Sequence, residues 1–265
     1  MDLDESRLPL DAARVGAALD AAGWPGPPPT LLGPVASTHA EAAAMLDAGA
    51  EALSSVVAER ADAPDLGPQS PGSLPAGAAL WVSAVVPGID PDAEPAWLVN
   101  LASLAVVDAL RAVAKVPAEI VWPDGITVPG AACGGGSAGT RRTGAVRVDA
   151  LPGGYVVSLV VNVGVGMLEL PAGATALYAD GGRIDRTEIL GALLPALGRR
   201  VAAWRSGDPD ARRAYLDRCQ TLGRLVRVGD AEGRVVDVDG AGDLVVDVDG
   251  RTRALARGDA ELALV

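Results

Sequence analysis

The sequence predicts an α+β fold, in which a mixed β-sheet backed by helices is followed by a small C-terminal β-barrel. Three patterns indicate it. Apolar residues recur at i, i+3 and i+4 through 94–114, which is the spacing of a helix that lies on a sheet. Continuous apolar runs such as 79–86 are typical of buried strands. After residue 225, short alternating segments replace the helical spacing.

These patterns predict two domains. We expect a main domain over 1–220, which includes an N-terminal helix and linker over 1–30, and a small barrel over 221–265. Further helices are predicted over 8–22, from Thr38 to Gly49, over 186–204 with a kink at Pro195, and from Asp208 to near Cys219. Strands are predicted over 55–59, 79–86, 119–122, 145–149 and 155–163.

Charge and residue usage exclude several classes of function. The net charge of -12 argues against nucleic acid as a partner, because affinity for its backbone comes from positive charge. His39 is the single histidine and Lys115 the single lysine, so mechanisms that need two of either are excluded. Cys133 and Cys219 are too far apart for a metal motif, and we expect no metal site formed by cysteines. The acidic N-terminus and the lack of a long apolar run predict a cytoplasmic protein without a membrane partner.

Residues 117–165 carry the strongest signal for a ligand site. A short strand leads into a Pro-Asp-Gly turn, a glycine-rich loop over 133–139 and a basic pair, Arg141 and Arg142, before two more strands. A flexible basic loop between strands is a place where an anion could bind on a sheet. Upstream, 60–78 is predicted to be an irregular loop rich in Pro, Gly and Ser over this site.

Two motifs have alternative interpretations. Thr38 with Glu41 three residues later is a capping-box pattern, which marks a helix start, whereas Ser37, Thr38 and His39 could also direct polar groups at a ligand. Residues 237–243 superficially resemble a calcium loop, but Val248 stands at the twelfth position where glutamate is needed. Together with the Asp-Gly pairs at 239–240 and 249–250, this favours hairpin turns.

The order of the motifs resembles that of the biotin–protein ligase family, in the form without a DNA-binding head. The resemblance covers about 31–265. Its segments are Ser37-Thr38-His39, Val57-Ala58-Glu59, Trp122-Pro123-Asp124, Arg141 to Val146, Val161 to Gly164, Ala174 to Leu177 and Thr221 to Val228. The resemblance implies a ligase-like catalytic domain of the biotin/lipoate type and an SH3-like C-terminal barrel.

In that family, biotin and ATP condense to biotinyl-adenylate, which a lysine of a carrier domain then attacks. The resemblance therefore implies biotin, ATP and Mg²⁺ as ligands, a biotin carboxyl carrier domain as partner, and a monomer or homodimer. It places Arg141 at the position of the family's catalytic lysine. The ligand-binding positions that it implies are Ser37, Thr38, His39, Glu59, Arg60, Trp122, Asp124, Arg142, Gly144 and Asn162.

Several segments depart from the family pattern. Where the family has a Gly-Arg-Gly-Arg loop, Arg60 is followed by Asp62 and Asp65, and two glycine positions of the central strand carry Val160 and Asn162. Because adenylate formation needs cations around the phosphates, we expect biotinyl-adenylate formation that is reduced or lost. Two alternatives stay open: a non-catalytic paralogue that binds a small acyl ligand or a carrier protein, and a ligase for a different acyl group.

Overall fold

The computed structural model describes residues 3, 7–63, 74–88, 96–128, 141–166, 168–170, 173–179, 181, 185–228 and 231–257. The glycine-rich loop at 133–139 and most of the predicted loop at 60–78 lie outside this range.

Seven strands form the main sheet, in the order β1-β2-β3-β7-β6-β5-β4. Their bounds are β1 Thr30–Val35, β2 Ser55–Ala61, β3 Ala79–Pro87, β4 Glu119–Val121, β5 Gly125–Thr127, β6 Arg142–Leu151 and β7 Gly154–Asn162. β1 pairs with β2 in parallel and the other neighbours are antiparallel, so the predicted mixed sheet is confirmed.

The described residues contain five α-helices: α1 Ala12–Ala21, α2 Thr38–Asp47, α3 Ala96–Ala109, α4 Arg186–Ser206 and α5 Pro209–Leu216. A π-helical turn, Leu110–Ala114, extends α3 over the rest of the predicted helix. Asp185 and Asp208 cap α4 and α5 by accepting hydrogen bonds from first-turn N–H groups, and the predicted helix start at Asp208 is confirmed.

Three details differ from the prediction. β1 and β5 were not predicted; β1 contains Pro34, which is tolerated because β1 is an edge strand. The N-cap of α2 is Ser37 and not Thr38, since the Ser37 hydroxyl accepts the Ala40 N–H at 3.3 Å. The capping box with Glu41 was therefore wrong by one position.

Successive side chains along each strand point to opposite faces of the sheet. One set of paired residues across β2, β3, β7 and β6 belongs to the large core that also contains α3 and α4: Val57, Val82, Leu159 and Val146. The adjacent row points to the opposite side and forms a second cluster: Ala58, Trp81, Val160 and Ala145. Helix α2 packs on this second side through Ala42 and Leu46. We call the two sides the α3 face and the α2 face.

The C-terminal segment folds into a second sheet of four antiparallel strands: β8 Leu225–Val228, β9 Ala231–Val238, β10 Leu244–Val248 and β11 Arg251–Leu255. The hairpin at 249–250 is confirmed, with positive φ at both Asp249 and Gly250. No helix occurs in the described part of this region. Closure of the sheet into an SH3-like barrel stays a prediction, as does a domain boundary near residue 220.

The second sheet packs on the main core. Val226, Val235 and Leu244 belong to the same buried cluster as α3. The indole N–H groups of Trp97 and Trp122 donate to backbone carbonyls in the turn between β9 and β10. The two sheets therefore share one continuous interior.

The segment Trp97–Ala114 passes a length and composition test for a membrane span, with mean hydropathy 1.5 over 18 residues. However, 72% of this window is buried inside the fold. Core helices pass the same test, so the segment is explained by its position between the sheet and α4.

Candidate functional site

The N-terminus of α2 brings three predicted site residues onto the α2 face. Ser37 caps the helix, and both Ser37 and Thr38 are buried. The Thr38 hydroxyl lies 2.9 Å from that of Ser83 on β3. His39 reaches β7, where its Nδ1 lies 3.1 Å from the Ser158 hydroxyl.

These groups form a continuous polar chain beneath α2. The Ser83 hydroxyl also lies 2.9 Å from that of Ser158, so Thr38, Ser83, Ser158 and His39 are linked. Asp149 approaches the same imidazole nitrogen, Nδ1, at 3.5 Å. A serine–histidine–carboxylate relay needs serine and carboxylate on different ring nitrogens. The chain therefore positions α2 and His39, and it does not activate Ser158 as a nucleophile.

Glu59 lies on the α3 face, away from His39 and Asn162. One carboxylate oxygen accepts a hydrogen bond from the Leu10 N–H at 2.8 Å, and the other pairs with Arg186 at 2.5 Å. The Arg186 side chain, at the start of α4, is 1% exposed and also donates to the Leu8 carbonyl at 2.7 Å. Because both oxygens of Glu59 are engaged, the geometry gives Glu59 a structural role that joins β2, α4 and the N-terminal segment.

Arg60 and Arg142, near the predicted phosphate positions, are each paired with a carboxylate. Arg60 contacts Asp62 through two bonds, at 2.7 and 3.3 Å, on the surface. Arg142 contacts Asp124 at 3.1 Å. The Arg142 guanidinium also lies against Gly125, where an added Cβ would come within 3.0 Å of it. Among the described residues, these pairs do not fit a triphosphate as they stand, because each guanidinium already has an anionic partner.

Trp122 and Gly144 have structural roles in the packing of the fold. Trp122 is 1% exposed; its backbone N–H donates to the Thr221 hydroxyl at 3.0 Å and its indole to the Gly242 carbonyl at 3.0 Å. Gly144 is needed because a Cβ there would come within 2.5 Å of the Val160 carbonyl oxygen on β7. Both positions are therefore explained by packing.

Arg141 and Asn162 lie at the end of the sheet where β6 begins and β7 ends. The Arg141 carbonyl accepts from the Thr127 hydroxyl at 2.7 Å, which joins it to β5. Asn162 is 4% exposed, and its amide donates to the Thr175 carbonyl at 3.0 Å. With Val160 it belongs to the α2 face. The structure thus brings His39 and Asn162 to one face.

Sequence reasoning missed Ser83 and Ser158, which link Thr38 to His39 on the α2 face, and Arg186, the partner of Glu59 on the α3 face. The two serines interrupt long apolar strands, and a polar residue in such a run is a usable signal. Arg186 gave no signal, because its partner Glu59 is 127 positions away. Within the described part of the chain, no group of three or more His, Cys, Asp or Glu is placed to hold a metal ion.

Comparisons with known proteins agree with the resemblance. No protein-family model matches the chain. A curated relative, the biotin–[acetyl-CoA-carboxylase] ligase of Mycobacterium tuberculosis, is 29% identical over 233 residues, which are 86% of this chain and 84% of the relative.

Solved structures share the fold. Biotin protein ligase from Aquifex aeolicus in complex with biotin and ATP superposes with a TM-score of 0.72 at 18% identity, covering 89% of this chain and 99% of that one. A biotin protein ligase-like protein of unknown function from Silicibacter sp. has a TM-score of 0.65 at 17% identity, covering 87% and 95%. The chain is therefore similar in sequence to one biotin–protein ligase and has the fold of these proteins, as the order of its motifs predicts.

Proposed function

We propose that the protein is a biotin-ligase-like protein that holds an acyl ligand on the α2 face and forms biotinyl-adenylate slowly or not at all. The observation that carries the proposal is the ion pair between Arg60 and Asp62. Arg60 starts the segment where the family has its phosphate-binding loop. Here its guanidinium faces a carboxylate of the same chain.

The energetic argument concerns charge at the phosphates. Adenylate formation develops negative charge at the α-phosphate and the leaving pyrophosphate, and preorganised cations stabilise it. A guanidinium neutralised by a carboxylate contributes little positive potential, and phosphate must displace that carboxylate first. Losing one such contact typically costs about 3–4 kcal/mol of transition-state stabilisation. Arg142, paired with Asp124, is subject to the same argument.

The relatives support the choice of ligands. The Aquifex enzyme was solved with biotin and ATP, and the Mycobacterium relative is named for its ligation of biotin to acetyl-CoA carboxylase. We infer biotin, ATP and Mg²⁺ as the ligands to test, and a biotin carboxyl carrier domain as the protein partner. A monomer or homodimer in the cytoplasm, without a DNA or membrane partner, completes the proposal.

Biotin-dependent exchange of labelled pyrophosphate into ATP tests the proposal, with an intact family member measured beside it. We expect exchange far below that of the intact enzyme. Replacing Asp62 by Asn frees Arg60 and should strengthen ATP binding in calorimetry, whereas Asp47→Asn, on the exposed side of α2, should not. Exchange at a rate comparable to the intact family member would overturn the proposal.

The buried side chains at 160 and 162 favour a second candidate, a protein for a different acyl group. Val160 is 1% and Asn162 4% exposed, and the family resemblance places glycine at both positions. Side chains here change the surface that an acyl group would meet. A protein that binds lipoate in calorimetry and not biotin would favour this candidate. Binding of an acyl ligand without ATP would favour the non-catalytic paralogue.

A further inference from the structure

A cleft of about 530 Å³ opens between α4 and the segments that precede β1 and β2. Carbon atoms make up most of its exposed wall, which includes Pro25, Leu53, Gly198, Val201, Ala202 and Arg205. Small-molecule sites in proteins have volumes of about 300–1,000 Å³ and mostly apolar walls. The cleft therefore has the size and the wall of a site for a small ligand.

The cleft is separate from the proposed acyl site on the α2 face. Arg205, near the end of α4, donates to the Pro87 carbonyl at 2.9 Å, which places the cleft where β3 ends. Asn162 pairs with Ala79, where β3 begins. The strand between Ala79 and Pro87 spans roughly 25 Å. A ligand in the cleft would therefore not contact a ligand held beside Asn162.

Two positions in the cleft wall have residues that their backbone does not favour. Leu53 has a φ of 67°, a left-handed conformation in which a residue with a Cβ is strained. Gly198 lies inside α4, where glycine weakens a helix. A Cβ at residue 198 would come within 3.1 Å of the Trp24 ring and 3.4 Å of the Leu53 side chain. The glycine therefore lets both apolar side chains approach α4 beside the cleft.

Arg205 supplies a positive charge at the rim of the cleft. Among the described residues its guanidinium forms no ion pair, whereas Arg200 on the same helix pairs with Asp108 at 2.6 Å. Glu51 and Asp208, the nearest acids along the chain, do not pair with it. An arginine without a carboxylate partner stands out in a chain with a net charge of -12. A cation beside an apolar wall favours a ligand with a hydrocarbon body and an anionic end.

The end of α4 opposes an anion, because a helix C-terminus carries a partial negative charge of about half an elementary charge. Two of its last carbonyl groups are satisfied by the chain itself. The Gly207 N–H donates to the Trp204 carbonyl at 3.1 Å, and the Asp208 N–H donates to the Ala203 carbonyl at 3.0 Å. The full charge of Arg205 therefore dominates at the rim.

We propose that the cleft binds an amphipathic carboxylate, which is a small molecule with a hydrocarbon chain and a terminal carboxylate group. The hydrocarbon chain packs on Leu53, Val201 and Ala202, and the carboxylate pairs with Arg205. This second site goes beyond the proposed function, since it requires neither the acyl site nor adenylate formation.

Nitrogen-15 NMR of the full chain, titrated with decanoate below the concentration of micelle formation, provides the direct test. The indole N–H signal of Trp24, whose ring lies against α4 beside the cleft, should shift and saturate. The indole of Trp122, which is 1% exposed and donates to the Gly242 carbonyl, should keep its signal in place. Two matched ligands separate the contributions: decanol has the chain without the charge, and acetate has the charge without the chain. We expect decanol to bind roughly five- to tenfold more weakly and acetate to cause no shift.

Variants of α4 locate the bound decanoate. Arg205→Gln should weaken binding by the same factor of roughly five to ten, and Arg205→Lys should restore most of it. Ala202→Phe places a ring in the cleft from an exposed helix position and should abolish saturable binding. Arg199→Gln removes a charge from an exposed position of α4 outside the cleft wall, and it should bind decanoate as the wild type does.

Three results would overturn the inference: no saturable binding of decanoate, equal affinity for decanol and decanoate, or wild-type affinity in both Arg205→Gln and Ala202→Phe. The last result would place the ligand elsewhere on the protein, the α2 face included. All three are binding measurements, so the rate of pyrophosphate exchange that tests the proposed function does not affect them.

Discussion

Replacing Glu59 by Gln isolates the charge of the most buried ion pair recorded among the described residues. The Arg186 side chain is 1% exposed and Glu59 is 23% exposed, with 2.5 Å between the nitrogen and the oxygen. Glutamine keeps the shape of the side chain and an oxygen for the Leu10 N–H. The substitution therefore leaves the Arg186 guanidinium buried without its carboxylate.

The expected destabilisation follows from burial. Removing one partner of a buried pair costs about 3–5 kcal/mol, because the remaining charge is uncompensated. Partial exposure of Glu59, and the Leu8 and Ala79 carbonyls that still accept from Arg186, put the expected value at the low end, about 3 kcal/mol. For a chain of this size that corresponds to a fall in Tm of roughly 6–12 °C.

Thermal and urea unfolding of Glu59→Gln, followed by far-UV circular dichroism, measures this change. Asp62→Asn is the matched control: the same chemical change in the exposed Arg60 pair should alter stability by less than about 1 kcal/mol. The double variant Glu59→Gln with Arg186→Met removes both charges and should recover part of the loss.

A Tm for Glu59→Gln within about 2 °C of the wild type would refute the structural role of this pair. Such a result, combined with weaker ligand binding by the variant, would return Glu59 to the binding site that the family resemblance implies. Lower stability with unchanged ligand binding is the outcome that the structure supports.

Two further predictions concern single positions. Gly144→Ala should destabilise the protein by several kcal/mol in urea unfolding, because its Cβ would come within 2.5 Å of the Val160 carbonyl, whereas Gly16→Ala in α1, with open space around it, should stabilise by about 0.5–1 kcal/mol. Burial alone would raise the pKa of Asp185, but hydrogen bonds from Arg14 and from the first-turn N–H groups of α4 lower it. A carboxyl whose pKa is lowered on folding stabilises the protein above its unfolded pKa and loses this effect as pH falls. Asp185→Ala should therefore cost about 1 kcal/mol at pH 7, with the difference from wild type shrinking on titration to acid; a difference independent of pH would contradict this.

The sequence predicts a helix, strand or turn well when the pattern that specifies it lies within a few neighbouring residues. Helix α3, strands β3 and β7 and the hairpin at 249–250 follow from periodicity and turn chemistry over a few residues. β1 and β5 were missed because they are short and lie beside prolines or a turn. Their strand conformation depends on pairing with β2 and β6, which a local window does not contain.

The sequence by itself determined the mixed fold, the order of the motifs and the absence of the family's loop cations. The tertiary structure alone decided which face each site residue occupies. Glu59 and Ala58 are neighbours in the chain but lie on opposite faces, because successive side chains of a strand alternate. It also decided that Arg142 pairs with Asp124 and that Arg186 pairs with Glu59. Those contacts join segments that are separate in the sequence, and they follow from the packing of the whole sheet.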